Sequence, residues 1–285
     1  MRWVIAAVLL GPAFCGANLR GAELKPATAA AFERYIQQAG QRMEGRKSFL
    51  WADELPSRAS QIRHGAVLVE AAGGHAQTGV PDGIVHDWIG CVYLRGVPLN
   101  RTMALMRDYN HQQQSYGPEV ADSRILQQHG DHYVVYMRLL KKMMLTVVLD
   151  TEHDVQYVPV DATRWRSSSR SIRIAEVEKP GKPGEHELAP GTGQGFLWRL
   201  NSYWRFQERD GGTWVECEAI SLTRDVPLGL GWLIQPIIQD LPRQSLENTL
   251  RETRNALIVG QRESEGARKP ALLAGRTEDR PRRKG

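Results

Sequence analysis

Residues 195–258 read GFLWRLNSYWRFQERDGGTWVECEAISLTRDVPLGLGWLIQPIIQDLPRQSLENTLRETRNALI. Two runs of alternating polar and apolar residues meet at Asp210-Gly211, and a long amphipathic segment follows a Pro/Gly break. An Asp-Gly pair between alternating runs signals a two-residue type I′ hairpin. That turn pairs Arg209 with Gly212. Counting outward, Phe206 opposes Val215, Trp204 opposes Cys217 and Ser202 opposes Ala219, while on the other face Arg205 opposes Glu216 and Tyr203 opposes Glu218. The hairpin is thereby sorted into an apolar face and a charge ladder. An antiparallel sheet ordinarily buries the first and solvates the second. The alternative places Arg205 and Glu216 toward a cavity, as a buried pair able to hold a polar ligand head. Trp198, Trp204 and Phe206 fall on one alternation face, as core packing or as the wall of a cavity gripped between the hairpin and the terminal helix.

Upstream, Phe32, Ile36, Ala39 and Met43 recur at helical spacing, which predicts a helix over residues 27–45. A short helix at Ser57–His64 and a short strand at Ala66–Ala71 follow, then a Gly/Pro-rich link. Residues 18–82 are too few and too polar to hold their own core and read as an N-terminal arm. From Ile84 the texture changes. Ile84–Leu94 reads as a strand, Pro98 opens a helix to Tyr109, and Gln112–Tyr116 adds a second short one. Four extended runs follow, at 120–128, 132–140, 145–157 and 164–178, before the irregular loop of residues 179–195. Strands in series with helices grouped at the ends indicate α+β rather than βαβ. The expectation is one antiparallel sheet of about seven strands curling around the last helix, in a domain covering residues 83–259.

The chain of 285 residues carries a formal net charge of +5, and its location decides its meaning. Gly260–Gly285 holds eight basic residues against four acidic ones, and Arg2 adds one more positive charge near the start. Residues 18–259 are therefore neutral, which excludes a nucleic-acid footprint on the folded body. The tail lacks an apolar period and reads as disordered; transient contact with a membrane surface is the further reading it allows. Residues 1–17 combine Arg2, an uncharged run from Trp3 to Phe14 and small residues at 15–17. This is the pattern of a cleaved export signal, the run being short of the roughly 20 residues a span requires. An uncleaved anchor is the alternative. A periplasmic or secreted protein is expected, with no indication of its oligomeric state.

Chemistry-bearing motifs are sparse. No Cys or His spacing makes a zinc set. The Ser167-Ser168-Ser169 run lacks a nucleophile-elbow context, and the glycines at 191, 193 and 195 precede a strand rather than the helix a phosphate cradle needs. No cofactor is indicated. Asp150, Glu152 and Asp154 alternate on one strand face and read as a solvated polar face, with His153 on the apolar side as a core histidine.

The opening strand IVHDWIGCVYL with its helix pair, the Gly211-Gly212-Thr213-x-Val215-x-x-Glu218 pattern and the final helix together resemble the START-like (SRPBCC) superfamily, which includes lipid-transfer domains and polyketide cyclases. The resemblance covers roughly residues 83–258 and rests on element order more than on a sharp motif. It implies a helix-grip fold with a hydrophobic cavity, and it carries no catalytic set. On that basis Ile89, Tyr93, Trp198, Leu200, Trp204 and Phe206 are expected to bind ligand, with Tyr203, Arg205, Glu216 and Glu218 as alternative polar cavity residues. Movement of the Pro98–Tyr116 or Pro236–Pro242 segment is expected to gate the cavity. The resemblance also makes the first and last strands neighbours, so Cys91 and Cys217 are a candidate cross-strand disulfide. The implied function is an exported binder or carrier of a lipid, quinone or terpenoid-like molecule. A cyclase- or hydrolase-type enzyme using Arg205, Glu216 or Glu218 and a non-catalytic envelope interaction protein are the alternatives.

Overall fold

The structure, a computed structural model, describes residues 21–142, 146–225 and 240–258. The expected leader, the basic tail and the Pro236 end of the proposed gate lie outside the described residues. Helices are α1 (Pro26–Glu44), α2 (Pro56–Arg63), α3 (Leu99–Arg107), α4 (Gln112–Tyr116) and α5 (residues 240–258). Strands are β1 (Leu68–Ala71), β2 (Gln77–Val80), β3 (Gly83–Arg95), β4 (Val120–His129), β5 (His132–Lys142), β6 (Thr146–Pro159), β7 (Arg164–Glu178), β8 (His186–Glu187), β9 (Arg199–Arg209) and β10 (Gly212–Arg224).

The strands form one curved antiparallel sheet in the order β1-β3-β10-β9-β7-β6-β5-β4, with β2 also on β3 and β8 on β7. The hairpin register is the one its turn dictates: Phe206 faces Val215, Trp204 faces Cys217 and Arg205 faces Glu216. Asp210 and Gly211 both take positive φ, 57° and 75°, as a type I′ turn requires. Bulges between Val120 and Asp122, Ile125 and Gln127, and Glu152 and His153 interrupt the ladders, which increases local bend and twist. Ten strands rather than about seven are present among the described residues. β1 falls within the short strand expected at Ala66–Ala71, outside the domain first assigned to the sheet; the unforeseen strands, β2 and β8, are four and two residues long, too short to display a period.

Both faces of the sheet are covered. On one face α5 and α3 pack over Val92, Leu94, Phe206 and Val215 through Leu246, Leu250, Met103 and Met106. A Cβ on Gly90 would lie 2.7 Å from Leu250 Cδ1 and 2.9 Å from the Leu68 carbonyl oxygen, so the absent side chain lets α5 sit directly on β3. On the opposite, outer face, residues 21–82 supply the cover. Phe32, Ala39 and Met43 of α1 pack on Val85, Ile220 and Leu222. Leu50, Trp51 and Ile62 pack on Ile89, Tyr93 and Trp214. The segment thus contributes two strands to the sheet and an apolar layer above it.

The cysteine pairing is not made. β3 and β10 are neighbours, as the resemblance implied, but Cys91 stands opposite Glu216 and Cys217 opposite Gly90. A one-residue offset puts two side chains on opposite faces of a sheet. Cys91 therefore belongs to the outer cluster and Cys217 to the cavity side, and both thiols are free and buried.

A candidate ligand cavity

Between the sheet and α5 the packing does not close. A cavity of about 820 Å³ remains, within the range of small-molecule sites. Its floor includes Leu200, Ser202 and Trp204 of β9 and Cys217, Ala219 and Ser221 of β10; Leu241, Leu246 and Thr249 of α5 form the roof. Met106, Tyr109 and Tyr116, from the α3–α4 segment, close one end. Alternation explains the floor: β9 contributes even-numbered residues and β10, up to Thr223, odd-numbered ones because the Asp-Gly turn locks their register.

The end wall is polar but satisfied. Tyr157 Oη donates to the Met106 carbonyl oxygen at 2.9 Å and accepts from Tyr109 Oη at 2.8 Å. Tyr116 Oη donates to Thr253 Oγ1 at 3.0 Å, and Thr253 passes its own proton to the Thr249 carbonyl at 2.8 Å. Burial pushes the Tyr116 phenol up to about 12, so it stays protonated at neutral pH. His153 is a core histidine, as its strand face suggested. Its Nε2 lies 3.2 Å from Thr151 Oγ1 and its Nδ1 3.5 Å from Ser169 Oγ. Burial lowers its pKa to about 4, and His86 is likewise lowered to about 4 by burial, so both rings are neutral.

At the cavity edge, Glu119 accepts from Asn248 Nδ2 of α5 at 3.0 Å and pairs with Lys141 of β5, tying the helix to the sheet. Glu176 was not singled out by sequence reasoning. Its carboxylate accepts three backbone N–H groups, from Gln194 (2.7 Å), Gly195 (2.8 Å) and Phe196 (3.1 Å), and so fixes the loop whose Gln194, Phe196 and Leu197 line the cavity. A Glu two residues before the end of a strand gives no sequence signal of this role.

Of the residues expected to bind ligand, Leu200 and Trp204 line the cavity. Phe206 lies on the same face, stacked with Trp204 at 6.1 Å, but is packed solid in the core with Val215 and Leu250. Ile89, Tyr93 and Trp198 lie in the outer-face clusters. For Ile89 and Tyr93 the reason is parity on β3. Trp198 sits in a bend before β9 begins, where alternation no longer holds.

The charge ladder is neither solvated nor in the cavity. Tyr203, Arg205, Glu216 and Glu218 face the outer side, where α1 and residues 45–51 cover them. Arg42 of α1 bridges Asp87 Oδ2 (2.7 Å) and Glu218, and Tyr35 Oη donates to Asp87 at 2.9 Å. Glu216 pairs with Arg46 at 2.5 Å and accepts the Trp51 N–H. Arg205 donates to the Phe49 (2.7 Å) and Met43 (2.8 Å) carbonyls, turning from Glu216 to cap the C-terminal turn of α1. Burial, reinforced by the Asp87 charge and opposed by Arg42, raises the Glu218 pKa to about 7. Nor is the Asp150 face merely solvated. Asp150 is buried against a two-pronged Arg138 guanidinium (2.8 Å to each oxygen) and Tyr136 Oη. Burial pushes its pKa up, but those hydrogen bonds outweigh it and hold the carboxyl below its usual value.

Fold and cavity together define an α+β helix-grip protein with an internal, largely apolar hollow. Its architecture is similar to that of several solved structures. A STAR-related lipid transfer protein fragment from Xanthomonas axonopodis is 16% identical, with 64% of this chain and 99% of that one covered at a TM-score of 0.40. Human STARD10 is 12% identical, covering 82% and 92% at 0.42. A Streptomyces aromatase/cyclase, Zhui, is 14% identical, covering 61% and 93% at 0.36. No known protein-family profile and no curated protein sequence matches the chain.

Proposed function

We propose that this chain binds and carries an apolar small molecule in the cavity between the sheet and α5. The observation that carries the reading is a hollow of about 820 Å³ whose floor and roof present Leu, Val, Met and Trp side chains without filling the space. Burying about 300 Å² of apolar ligand surface there would contribute on the order of 7 kcal/mol, before the entropy of association is deducted. The side chains that an enzyme reading would use, Arg205, Glu216 and Glu218, are committed to α1 and its following loop on the other side of the sheet. Export by the leader at residues 1–17 belongs to the same reading, with a periplasmic or extracellular site of action.

The direct test is native mass spectrometry of full-length protein purified from its own host, expected to reveal a co-purifying apolar molecule. Ala219→Trp, which projects an indole into the cavity, should abolish displaceable binding of aminoanthracene while leaving the circular dichroism spectrum unchanged. Undiminished binding in that variant would refute the cavity as the site. N-terminal sequencing of the mature protein tests export: a start near residue 18 supports it, and an intact Met1 overturns it.

A further inference from the structure

Apolar burial alone does not account for a line of small hydroxyls on the cavity floor. Ser169 and Ser202 face each other across β7 and β9, Ser167 lies two residues along β7, and Ser221 lies two residues beyond Ala219, the β10 partner of Ser202. All four line the cavity. With a rise of about 3.3 Å per residue and about 4.8 Å between strands, the line runs diagonally for roughly 16 Å from Ser167 to Ser221.

Ser167 and Ser221 are each only 6% exposed, and neither hydroxyl has a hydrogen-bond partner among the described residues. Ser202 Oγ accepts from Trp204 Nε1 at 3.1 Å, which leaves its own proton to give. Both hydroxyls open onto the cavity rather than being sealed in packing, and Ala or Val would serve a purely greasy floor as well. Of the charged side chains around the cavity, Glu119 is matched by Lys141 and Asn248, and Arg224, near Ser221, donates to the Gln194 carbonyl at 3.1 Å.

We infer that the ligand is an elongated apolar molecule bearing hydroxyl or carbonyl oxygens at two positions roughly 16 Å apart, one meeting Ser167 and the other Ser221. An acyl chain with a single ionised head, even one drawn to Arg224 at the Ser221 end, would leave the Ser167 hydroxyl unmatched. The inference rests on the cavity-binding reading and narrows it to a ligand class.

The test uses the full-length chain and three probes of equal carbon number: dodecanol, dodecanoate and the α,ω-dodecanediol, whose oxygens span a comparable distance when extended. Each displaces aminoanthracene. A plain greasy pocket prefers dodecanol, because the second hydroxyl of the diol favours water; here the diol is expected to bind at least as tightly as dodecanol. Ser167→Ala and Ser221→Ala should each weaken the diol about fivefold, the worth of one neutral hydrogen bond, and Ser167→Ala should leave dodecanoate unchanged. Both variants remove an unmatched hydroxyl, so their melting temperatures should equal or exceed that of the parent, which separates lost binding from lost folding. Preference for dodecanol or dodecanoate, or variants that bind the diol undiminished, overturns this inference while the cavity reading stands. Failure of all three probes to bind overturns both.

Discussion

Glu218→Gln probes the buried ionic layer beneath α1. Glu218 and Asp87 share the Arg42 guanidinium, each carboxylate almost fully buried. The Glu218 pKa rises from 4.5 to about 7. Because one pKa unit is worth about 1.4 kcal/mol, the ionised form is disfavoured in the folded state by about 3 kcal/mol relative to the protonated one. A carboxyl with a raised folded-state pKa takes up a proton on folding. Its stabilising effect is therefore complete below pH 4.5, is lost as pH rises toward 7, and is absent above. Glutamine approximates the protonated form at every pH. The variant should match the parent at about pH 4 and exceed its stability by about 3 kcal/mol at about pH 8, measured as the difference between paired urea-unfolding curves. Taking the difference cancels carboxylates that titrate in the opposite sense, such as Asp150. A Gln variant less stable than the parent at high pH, or a gap that does not change with pH, would refute the reasoning. It would mean that the Arg42 pairing outweighs the burial of two like charges.

Other perturbations test other parts of the structure. Gly90→Val drives side-chain carbon into Leu250 and the Leu68 carbonyl and should lower stability by about 2–3 kcal/mol; thermal unfolding unchanged within error would show that α5 does not rest there. Asp150→Asn breaks the two-pronged Arg138 contact and should cost about 2–4 kcal/mol at neutral pH. Since the Asp150 pKa is depressed, that cost should shrink as pH falls through it, readable in the same urea series. Unreduced protein unfolded in guanidinium should alkylate at both Cys91 and Cys217, as counted by peptide mass spectrometry, and a missing pair of labels would contradict their placement on opposite faces. Asn248→Ala unties α5 from Glu119 and should speed aminoanthracene release severalfold in stopped-flow fluorescence.

The sequence carried most of the architecture but little of the site: of the six residues expected to bind ligand, Leu200 and Trp204 line the cavity. Asp210-Gly211 was sufficient for the hairpin register, and with it the assignment of Ser202, Trp204, Cys217 and Ala219 to one face. Periodicity located α1 to α4 and the longer strands within a few residues. Alternation separates two faces, but it cannot say what covers each of them. A sheet with one wet face was the natural expectation for Arg205, Glu216 and Glu218. The structure buries them because Arg42, Arg46 and the Phe49 and Met43 carbonyls arrive from more than 150 positions away in the chain. Parity also fails where a strand has not begun, which misplaced Trp198, and a one-residue register offset, invisible without the β3–β10 pairing, separates Cys91 from Cys217. The backbone-gripping role of Glu176 depends on a loop closing back on its own strand, which no local pattern announces.

The direct contact at Gly90 gives α5 a fulcrum. Leu250 rests on the sheet there, whereas Leu241, nine residues earlier, borders open space. At 1.5 Å per residue the lever arm is about 14 Å, so a tilt of about 10° around that pivot would swing the far end by roughly 2.5 Å. Small rotations at a single glycine thus translate into large changes of aperture, and the bulk tolerated at position 90 governs how far the hollow can gape.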